Sequence, residues 1–193
     1  MNSVNTQTIT SLTSACYART PVSGEHTLQE LPLRGKINIR GDSANAEIFS
    51  ALDQAISLTP PVIPNTKVSS DSITVYWMGP DEWLLLCDLE QAPIISEKIR
   101  QQLGTLHHAV TDVSDYYTTL QLSGPRSEEL INRGCPQDLH TSVFPAGSIT
   151  QTRFGHASIL LDRQTDYSTW HIQVRWTYAE YVWDYLVSAM DAL

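Results

Sequence analysis

A strand pattern that runs directly into a helix pattern occurs twice in this chain, and it limits the folds that the chain can adopt. Residues 37–41, with the sequence INIRG, alternate apolar and polar side chains and end at a glycine before a helical stretch. Residues 120–124, with the sequence LQLSG, do the same. Alternation with period two is typical of a half-buried strand. The repetition predicts two related halves, each with a strand that leads into a helix.

A hairpin pattern also recurs, in the same order along the chain. Residues 73–85 and residues 149–161 share an Ile-Thr pair, a glycine and a Leu-Leu pair at one constant offset. Together with the first repeat, this predicts an α+β fold of two βαββα-type halves, with mixed or antiparallel sheets around a shared core. The alternative is one irregular mixed sheet.

The individual elements follow from the hydrophobic period and from end signals. Ser43 is predicted to cap a helix that reaches Ile56, a second helix ends at Gly104, and a third begins at Pro125. Thr177 and a glutamate three residues later have the spacing of a capping box at the start of a fourth helix. Strands are predicted at residues 33–40, 72–77, 82–87, 109–113, 118–122, 148–154, 157–161 and 169–175. Residues 1–30 lack periodicity and predict a flexible arm, and residues 31–193 predict a single domain.

Charge and cysteine content narrow the setting in which the chain works. Its 12 basic and 21 acidic residues give a net charge of -9, which argues against a nucleic acid or an anionic membrane as the main partner. Cys16, Cys87 and Cys135 lie far apart and form no CxxC pair, which favours a reducing cytoplasmic compartment. Residues 1–14 lack the pattern of a signal peptide, and there is no apolar run of roughly 18 residues, so we expect no membrane segment.

The motifs of common catalytic and cofactor sites are missing from the sequence. It contains no GxGxxG, no GxxxxGK[ST] and no GxSxG. His107 and His108 are adjacent at a strand start and face opposite sides, so they do not converge on one metal ion. Asp112 and Ser114 are interpreted as turn residues that satisfy backbone donors, and Cys135 as a buried thiol. We therefore predict no catalytic, cofactor-binding or metal-binding residue in this chain.

A surface for another protein is the functional feature that the sequence does predict. On the last helix, Tyr178 and Trp183 fall outside the apolar face, which leaves aromatic rings for a second contact. Arg126, Arg153 and Arg175 are predicted interface residues, because guanidinium groups pair with carboxylates and stack on rings. The alternative is that the arginines are solvated and most aromatic rings belong to the core.

The run VTDVSDYYTTLQLSGP at residues 110–125 resembles the gamma subunit family of heterotetrameric sarcosine oxidase. Further matches are GPDEWLL at residues 79–85, CPQDL at 135–139, FPAG at 144–147, QTR at 151–153, and the segment 170–183. They span about residues 33–188. That family is similar to the N-terminal part of folate-dependent aminomethyltransferases, and the resemblance implies the same fold here.

The resemblance also implies a function and a set of partners. It implies a cytoplasmic complex with alpha, beta and delta subunits that oxidises sarcosine with oxygen to glycine and hydrogen peroxide, and forms methylene-tetrahydrofolate from tetrahydrofolate. FAD, FMN, NAD, tetrahydrofolate and zinc belong to the complex, and none is expected on this chain alone. The folate-activating aspartate of aminomethyltransferases corresponds to a position near Ala157 and Ser158, neither of which is acidic.

The resulting hypothesis is a non-catalytic structural and assembly subunit of sarcosine oxidase. The alternative is a stand-alone folate-binding or one-carbon transfer protein. A third hypothesis, a regulatory module, differs from the first only if the complex assembles and turns over fully without this chain.

Overall fold

The computed structural model describes residues 14, 16 and 19–192, which contain ten strands and four α-helices. The helices are α1 Ala46–Ile56, α2 Ala92–Leu103, α3 Ser127–Asn132 and α4 Trp176–Asp191, and Leu89–Gln91 forms a short 3-10 helix. The strands are β1 Thr27–Glu30, β2 Gly35–Gly41, β3 Lys67–Ser69, β4 Thr74–Gly79, β5 Glu82–Cys87, β6 His108–Asp112, β7 Tyr117–Ser123, β8 Ile149–Phe154, β9 Ala157–Arg163 and β10 Thr169–Arg175.

The strands form two five-stranded sheets, which confirms the predicted α+β fold with two halves. The first sheet has the order β3-β4-β5-β2-β6. The second sheet, listed from the edge strand that corresponds to β3, has the order β8-β9-β10-β7-β1. Every neighbouring pair is antiparallel. In each half a strand and a helix are followed by three strands and a second helix. Each half is thus a βαβββα unit, which has one strand more than the predicted βαββα unit.

The extra strand also corrects the hairpin repeat. By position in the sheets, β4 and β5 correspond to β9 and β10, whereas the sequence repeat matched them to β8 and β9. Every antiparallel hairpin carries alternating apolar residues, so neighbouring hairpins resemble one another in sequence. β3 has only three residues and shows no period of its own.

The two sheets are completed by strands from different places in the chain. β6 follows α2 and forms the edge of the first sheet, whereas β1 precedes everything else and forms the matching edge of the second. In β1, Leu28 lies opposite Leu122 and is fully buried. The boundary of the predicted arm is therefore corrected, because residues 27–30 belong to the sheet. Residues 1–13, 15, 17 and 18 of that arm lie outside the described residues.

Each sheet has one face toward its own helices and the other toward the second sheet. In β5, Leu85 packs with α1 and α2, while its neighbours Leu84 and Leu86 pack with Ile149 and Leu160 of the second sheet. Successive side chains of a strand point to opposite faces, so one strand serves both layers. The layers are thus helices, sheet, sheet and helices.

Three helix starts differ from the predictions. The helix α3, predicted to begin at Pro125, begins at Ser127. The N-cap of α1 is Asn45, whose side chain accepts a hydrogen bond from the Glu47 backbone at 2.9 Å, and Ser43 bonds the Asp81 carboxylate instead. α4 begins at Trp176 and has no side-chain cap, so the predicted capping box at Thr177 is wrong. Gly104 ends α2 as predicted, with a φ of 53° that favours glycine.

Candidate functional site

Two of the three predicted interface arginines line one cleft. Arg153 is near the end of β8, and Arg175 is the last residue of β10. The cleft has a volume of about 420 Å³. We call it the arginine cleft, and its lining residues are Met78, Tyr117, Gln151, Thr152, Arg153, Ser158, Ile159, Leu160 and Arg175.

Strand alternation explains why the arginine side chains share this cleft. Arg175 lies on the same face of β10 as His171 and Gln173, which border a cavity shared with residues of the first sheet. The cleft therefore lies on the inner face of the second sheet. Gln151, which also lines the cleft, links the two sheets there, because its Nε2 donates a hydrogen bond to the carbonyl oxygen of Met78 in β4 at 2.5 Å.

The cleft concentrates positive charge in an acidic protein. Arg153 and Arg175 are both exposed, and within the described part of the chain neither forms an ion pair. The Arg175 guanidinium lies 5.0 Å from the ring centroid of Tyr116, which in turn meets Tyr117 edge to face at 4.5 Å. Two unpaired guanidinium groups, one of which lies over an aromatic ring, are suited to carboxylates of a partner.

Tyr117 adds a hydrogen-bond donor to the cleft. Burial is the main cause that raises the pKa of this phenol, with a smaller contribution from the neighbouring Tyr116. The hydroxyl group of Tyr117 therefore keeps its proton at neutral pH. The cleft thus offers charged and neutral donors together.

The other predicted surface residues lie outside the arginine cleft. Arg126 precedes α3 and pairs with Glu129 through two contacts of 2.9 and 2.6 Å. Hydrogen bonding to this carboxylate raises the pKa of the Arg126 guanidinium. Tyr178 is 38% exposed on the first turns of α4 and meets Tyr181 edge to face. A role for Arg126 or Tyr178 in partner binding stays a prediction.

The predicted exposure of Trp183 is wrong. Its side chain is only 3% exposed and belongs to the core beneath α4, together with Ala179, Val182 and Leu186. These four residues have the i, i+3, i+4, i+7 spacing of a helix face. The buried face of α4 is therefore centred nearer to Trp183 than the sequence pattern indicated.

A polar cluster between the two sheets was not predicted from sequence. Asp162 is 1% exposed; one of its oxygens lies 2.5 Å from Lys67 Nζ, and the other accepts a hydrogen bond from the Tyr76 hydroxyl at 2.9 Å. Burial and the neighbouring carboxylate raise the pKa of Tyr76 well above its ordinary value. The cluster joins β3 and β4 of the first sheet to β9 of the second, so its ionic groups are committed to holding the sheets together.

The cavity beside this cluster is small. It measures about 170 Å³ and is bordered by His171 and Gln173. Burial lowers the pKa of His171, which favours a neutral imidazole. Pockets for drug-sized ligands measure roughly 300–1,000 Å³, so this cavity is too small for a nucleotide or a folate. The arginine cleft is the better candidate site.

The residues that sequence reasoning assigned to turns and core have those roles. Asp112 accepts hydrogen bonds from the backbone and the hydroxyl of Ser114 at 2.9 and 2.5 Å, which confirms its turn role. Cys135 is 5% exposed, as predicted for a buried thiol. Over residues 14, 16 and 19–192, no three His, Cys, Asp or Glu side chains are grouped to hold a metal ion. No helix within the same residues is long and apolar enough to cross a membrane.

Comparisons with known proteins give one family and one fold. The model of the family described as "Sarcosine oxidase, gamma subunit family" matches residues 40–192. The sarcosine oxidase subunit gamma of Corynebacterium sp. (strain U-96) is 28% identical over 183 residues, which cover 92% of this chain and 86% of that protein. The solved heterotetrameric sarcosine oxidase from Corynebacterium sp. U-96, in complex with pyrrole 2-carboxylate, contains a chain of similar structure. That similarity has a TM-score of 0.81 at 27% identity and covers 93% of this chain and 91% of the other.

A second solved structure confirms the aminomethyltransferase-like fold. The glycine cleavage system aminomethyltransferase T from Bartonella henselae has a TM-score of 0.58 at 11% identity. The match covers 83% of this chain and 45% of that one. At this level of identity the similarity shows a shared fold only.

Proposed function

The chain belongs to the sarcosine oxidase gamma subunit family, and on that premise we propose that it is a non-catalytic structural subunit of a heterotetrameric sarcosine oxidase. The complex oxidatively demethylates sarcosine to glycine with oxygen, giving hydrogen peroxide and methylene-tetrahydrofolate. The observation that carries the proposal for this chain is the arginine cleft, where two guanidinium groups lie without acidic partners among the described residues.

In this proposal the chain acts by holding other subunits in place. Carboxylates of the alpha or beta subunit pair with Arg153 and Arg175, and an aromatic or aliphatic side chain packs on Tyr116 and Tyr117. The alpha, beta and delta subunits hold FAD, FMN, NAD, tetrahydrofolate and zinc, and the complex is cytoplasmic. The internal ionic groups of this chain support a structural role, because Asp162 is paired with Lys67 between the sheets.

Charge reversal in the arginine cleft tests this proposal. When the chain is co-expressed with the other three subunits, R153E/R175E is expected to reduce its co-purification with them at least about tenfold, because two attractions become repulsions. K98E is the control, since Lys98 is exposed on α2 and forms no ion pair within the described part of the chain. Equal recovery of both variants would show that the cleft is not the contact surface.

Folate binding by the isolated chain is the second candidate function, and one observation favours it. The arginine cleft has the volume of a ligand pocket and contains Ser158, next to the position where aminomethyltransferases carry an aspartate. Isothermal titration calorimetry of tetrahydrofolate with the purified chain distinguishes the structural function from the folate-binding function. We expect no heat of binding, and saturable binding that R153E/R175E abolishes would favour the folate function instead.

A further inference from the structure

Four strands form the edges of the two sheets, and three of these edges are short or shielded. β3 has only three residues. The outer side of β1 is shielded by Val22, which forms two backbone hydrogen bonds of 2.9 and 3.1 Å with Leu28. At β6, the Arg100 guanidinium donates a hydrogen bond to the Val110 carbonyl oxygen at 2.9 Å. Proteins shield sheet edges in such ways because an open edge can pair with another strand.

The fourth edge strand, β8, is both longer and open. It has six residues, with the sequence ITQTRF, and contains no proline, lysine or glycine. Its only neighbour in the sheet is β9. Within the described part of the chain, no other backbone group pairs with residues 149–153. β8 therefore has a free outer side along most of its length.

The pairing with β9 determines which backbone groups of β8 lie on this free side. The Arg163 backbone N–H donates a hydrogen bond to the Ser148 carbonyl oxygen at 3.0 Å, so the backbone of Ser148 faces β9. Backbone groups alternate between the two sides of a strand in an antiparallel sheet. The N–H and C=O groups of Gln151 and Arg153 therefore point away from β9.

Two contacts border the free side of β8 without closing it. By the same alternation Gly155 also faces outward, and its N–H donates to the Gly134 carbonyl oxygen at 2.7 Å, so the open edge ends before this residue. The Thr150 hydroxyl lies 3.4 Å from the Gln151 carbonyl oxygen. A carbonyl oxygen has two lone pairs, so this long contact leaves one for another donor. The open edge thus covers residues 149–153, close to the usual length of a strand.

The open edge and the arginine cleft belong to the same residues. The side chains of Gln151 and Arg153 line the cleft, and their backbone groups lie on the open edge. In a strand added to β8, every second side chain would lie on the cleft side of the sheet, next to those of β8. A carboxylate at such a position would lie beside the exposed Arg153 guanidinium.

The charge of β8 favours a different subunit over a second copy of this chain as the added strand. Two copies of β8 paired about a twofold axis would place both Arg153 side chains on one face, and β8 contains no acidic residue to compensate. Like charges on paired strands are destabilising. A segment with acidic residues at alternate positions pairs with β8 without this repulsion.

We propose that an extended, acidic segment of another subunit pairs with β8 as a sixth strand of the second sheet. Its backbone bonds to Gln151 and Arg153, and one of its carboxylates pairs with the Arg153 side chain. Added strands of this kind gain affinity from main-chain hydrogen bonds and specificity from alternate side chains. The inference rests on the proposed function, since it states how a partner subunit reaches the arginine cleft.

Hydrogen–deuterium exchange, resolved to single residues by mass spectrometry, tests the pairing without any substitution. The amides of Gln151 and Arg153 are expected to exchange rapidly in the free chain and at least about tenfold more slowly in the four-subunit complex. The amides of Thr150 and Thr152 face β9, so they are the internal control and should exchange slowly in both states. Equal rates at Gln151 and Arg153 in the two states overturn the proposal. Slow exchange at these amides already in the free chain overturns it as well, because the edge is then paired without another subunit.

Proline at position 151 gives a second test, because it removes one outward N–H and leaves the bonds to β9 in place. Gln151→Pro, co-expressed with the other three subunits, is expected to co-purify at least about tenfold less than Gln151→Ala. The alanine variant is the matched control, since it also loses the side-chain bond to Met78 but keeps the backbone N–H. Circular dichroism checks that both variants fold, and equal recovery of the two folded variants contradicts strand addition. If Gln151→Pro does not fold, the exchange rates of the unchanged chain decide.

The two experiments also distinguish this inference from the proposed function. If the unchanged chain fails to co-purify with the other three subunits, the proposed function itself fails. If it co-purifies, R153E/R175E is lost from the complex and exchange at β8 is unaltered, the cleft binds a partner through side chains alone. In that case only the added strand is wrong.

Discussion

The layers between helix and sheet differ in chemistry from the layer between the two sheets. The helix-side layers are mainly apolar, with Trp83 in the first half and Trp170 in the second both fully buried. The exception is the buried Arg163, whose guanidinium lies over the Trp170 ring and donates hydrogen bonds to backbone carbonyl oxygens. The layer between the sheets contains an ion pair, and also Lys36, Thr119 and Gln173, which are each at most 5% exposed. Apolar contacts are non-directional, whereas buried polar groups require particular partners. The helix-side layers therefore supply most of the stability, and the polar layer fixes how the halves meet.

The largest expected effect is in a helix-side layer. Trp83→Ala removes a fully buried ring that meets Phe49 edge to face, and should lower the free energy of unfolding by about 3–5 kcal/mol. Trp83→Phe retains most of the packing and loses the hydrogen bond to Pro61, so we expect a smaller loss of about 1–2 kcal/mol. Urea denaturation measures both. A loss below about 1 kcal/mol for Trp83→Ala would contradict the assigned role of this layer.

The next effect is expected at the polar cluster between the sheets. Asp162→Ala leaves Lys67 and the buried Tyr76 hydroxyl without their partner, which should cost about 3 kcal/mol. In K67M/Y76F/D162L the three polar groups are replaced together, and most of that loss should be recovered. Asp184→Ala, which removes the exposed partner of Arg19, is the control and should cost under about 1 kcal/mol. If Asp162→Ala is as mild as this control, the cluster does not join the sheets.

The smallest effect is expected at Lys36, and it depends on pH. Burial is the main cause that lowers the pKa of this lysine from 10.5 to about 8, and the nearby Arg34 adds to it. Between these two pH values the unfolded chain binds more protons than the folded one, so the Lys36 contribution makes stability rise with pH there. Below pH 8 the cost of burying the charge is fully present. Lys36→Met should therefore stabilise the chain by about 1–3 kcal/mol at pH 7.

The difference in the free energy of unfolding between Lys36→Met and the unchanged chain isolates the contribution of Lys36 from that of other titrating residues. Urea denaturation of both proteins at several pH values is expected to show the advantage of the variant shrinking as pH rises from 8 to 10.5. An advantage that does not change with pH would mean that Lys36 is not a charged group buried between the sheets.

The sequence predicted the elements with strong local signals and missed those that depend on distant contacts. Alternation in residues 169–175 matches β10 at both ends, because seven residues with one buried face carry a clear period. β3 has three residues, and β1 is recognisable only by its pairing with β7. Neither strand had a local pattern that distinguishes it from a loop.

The same distinction applies to the candidate site. Arg153 and Arg175 were predicted one by one, but their meeting in one cleft depends on the order of β7, β8, β9 and β10 in the sheet. Lys67 and Asp162 lie 95 residues apart, so no local spacing indicates their pairing. Trp183 was misplaced because an aromatic residue at the edge of an apolar stripe fits either face of a helix. Local periodicity determines which side chains share a strand face, whereas sheet topology determines which strands bring them together.

Omission of the chain from the assembled complex tests the central claim most directly. The alpha, beta and delta subunits are expressed together with and without this chain, and complex mass and hydrogen peroxide formation from sarcosine are measured. A structural subunit predicts that the three-subunit preparation fails to assemble fully and loses activity, and that adding the purified chain restores both. Full assembly and full turnover by the three subunits alone would contradict the structural role.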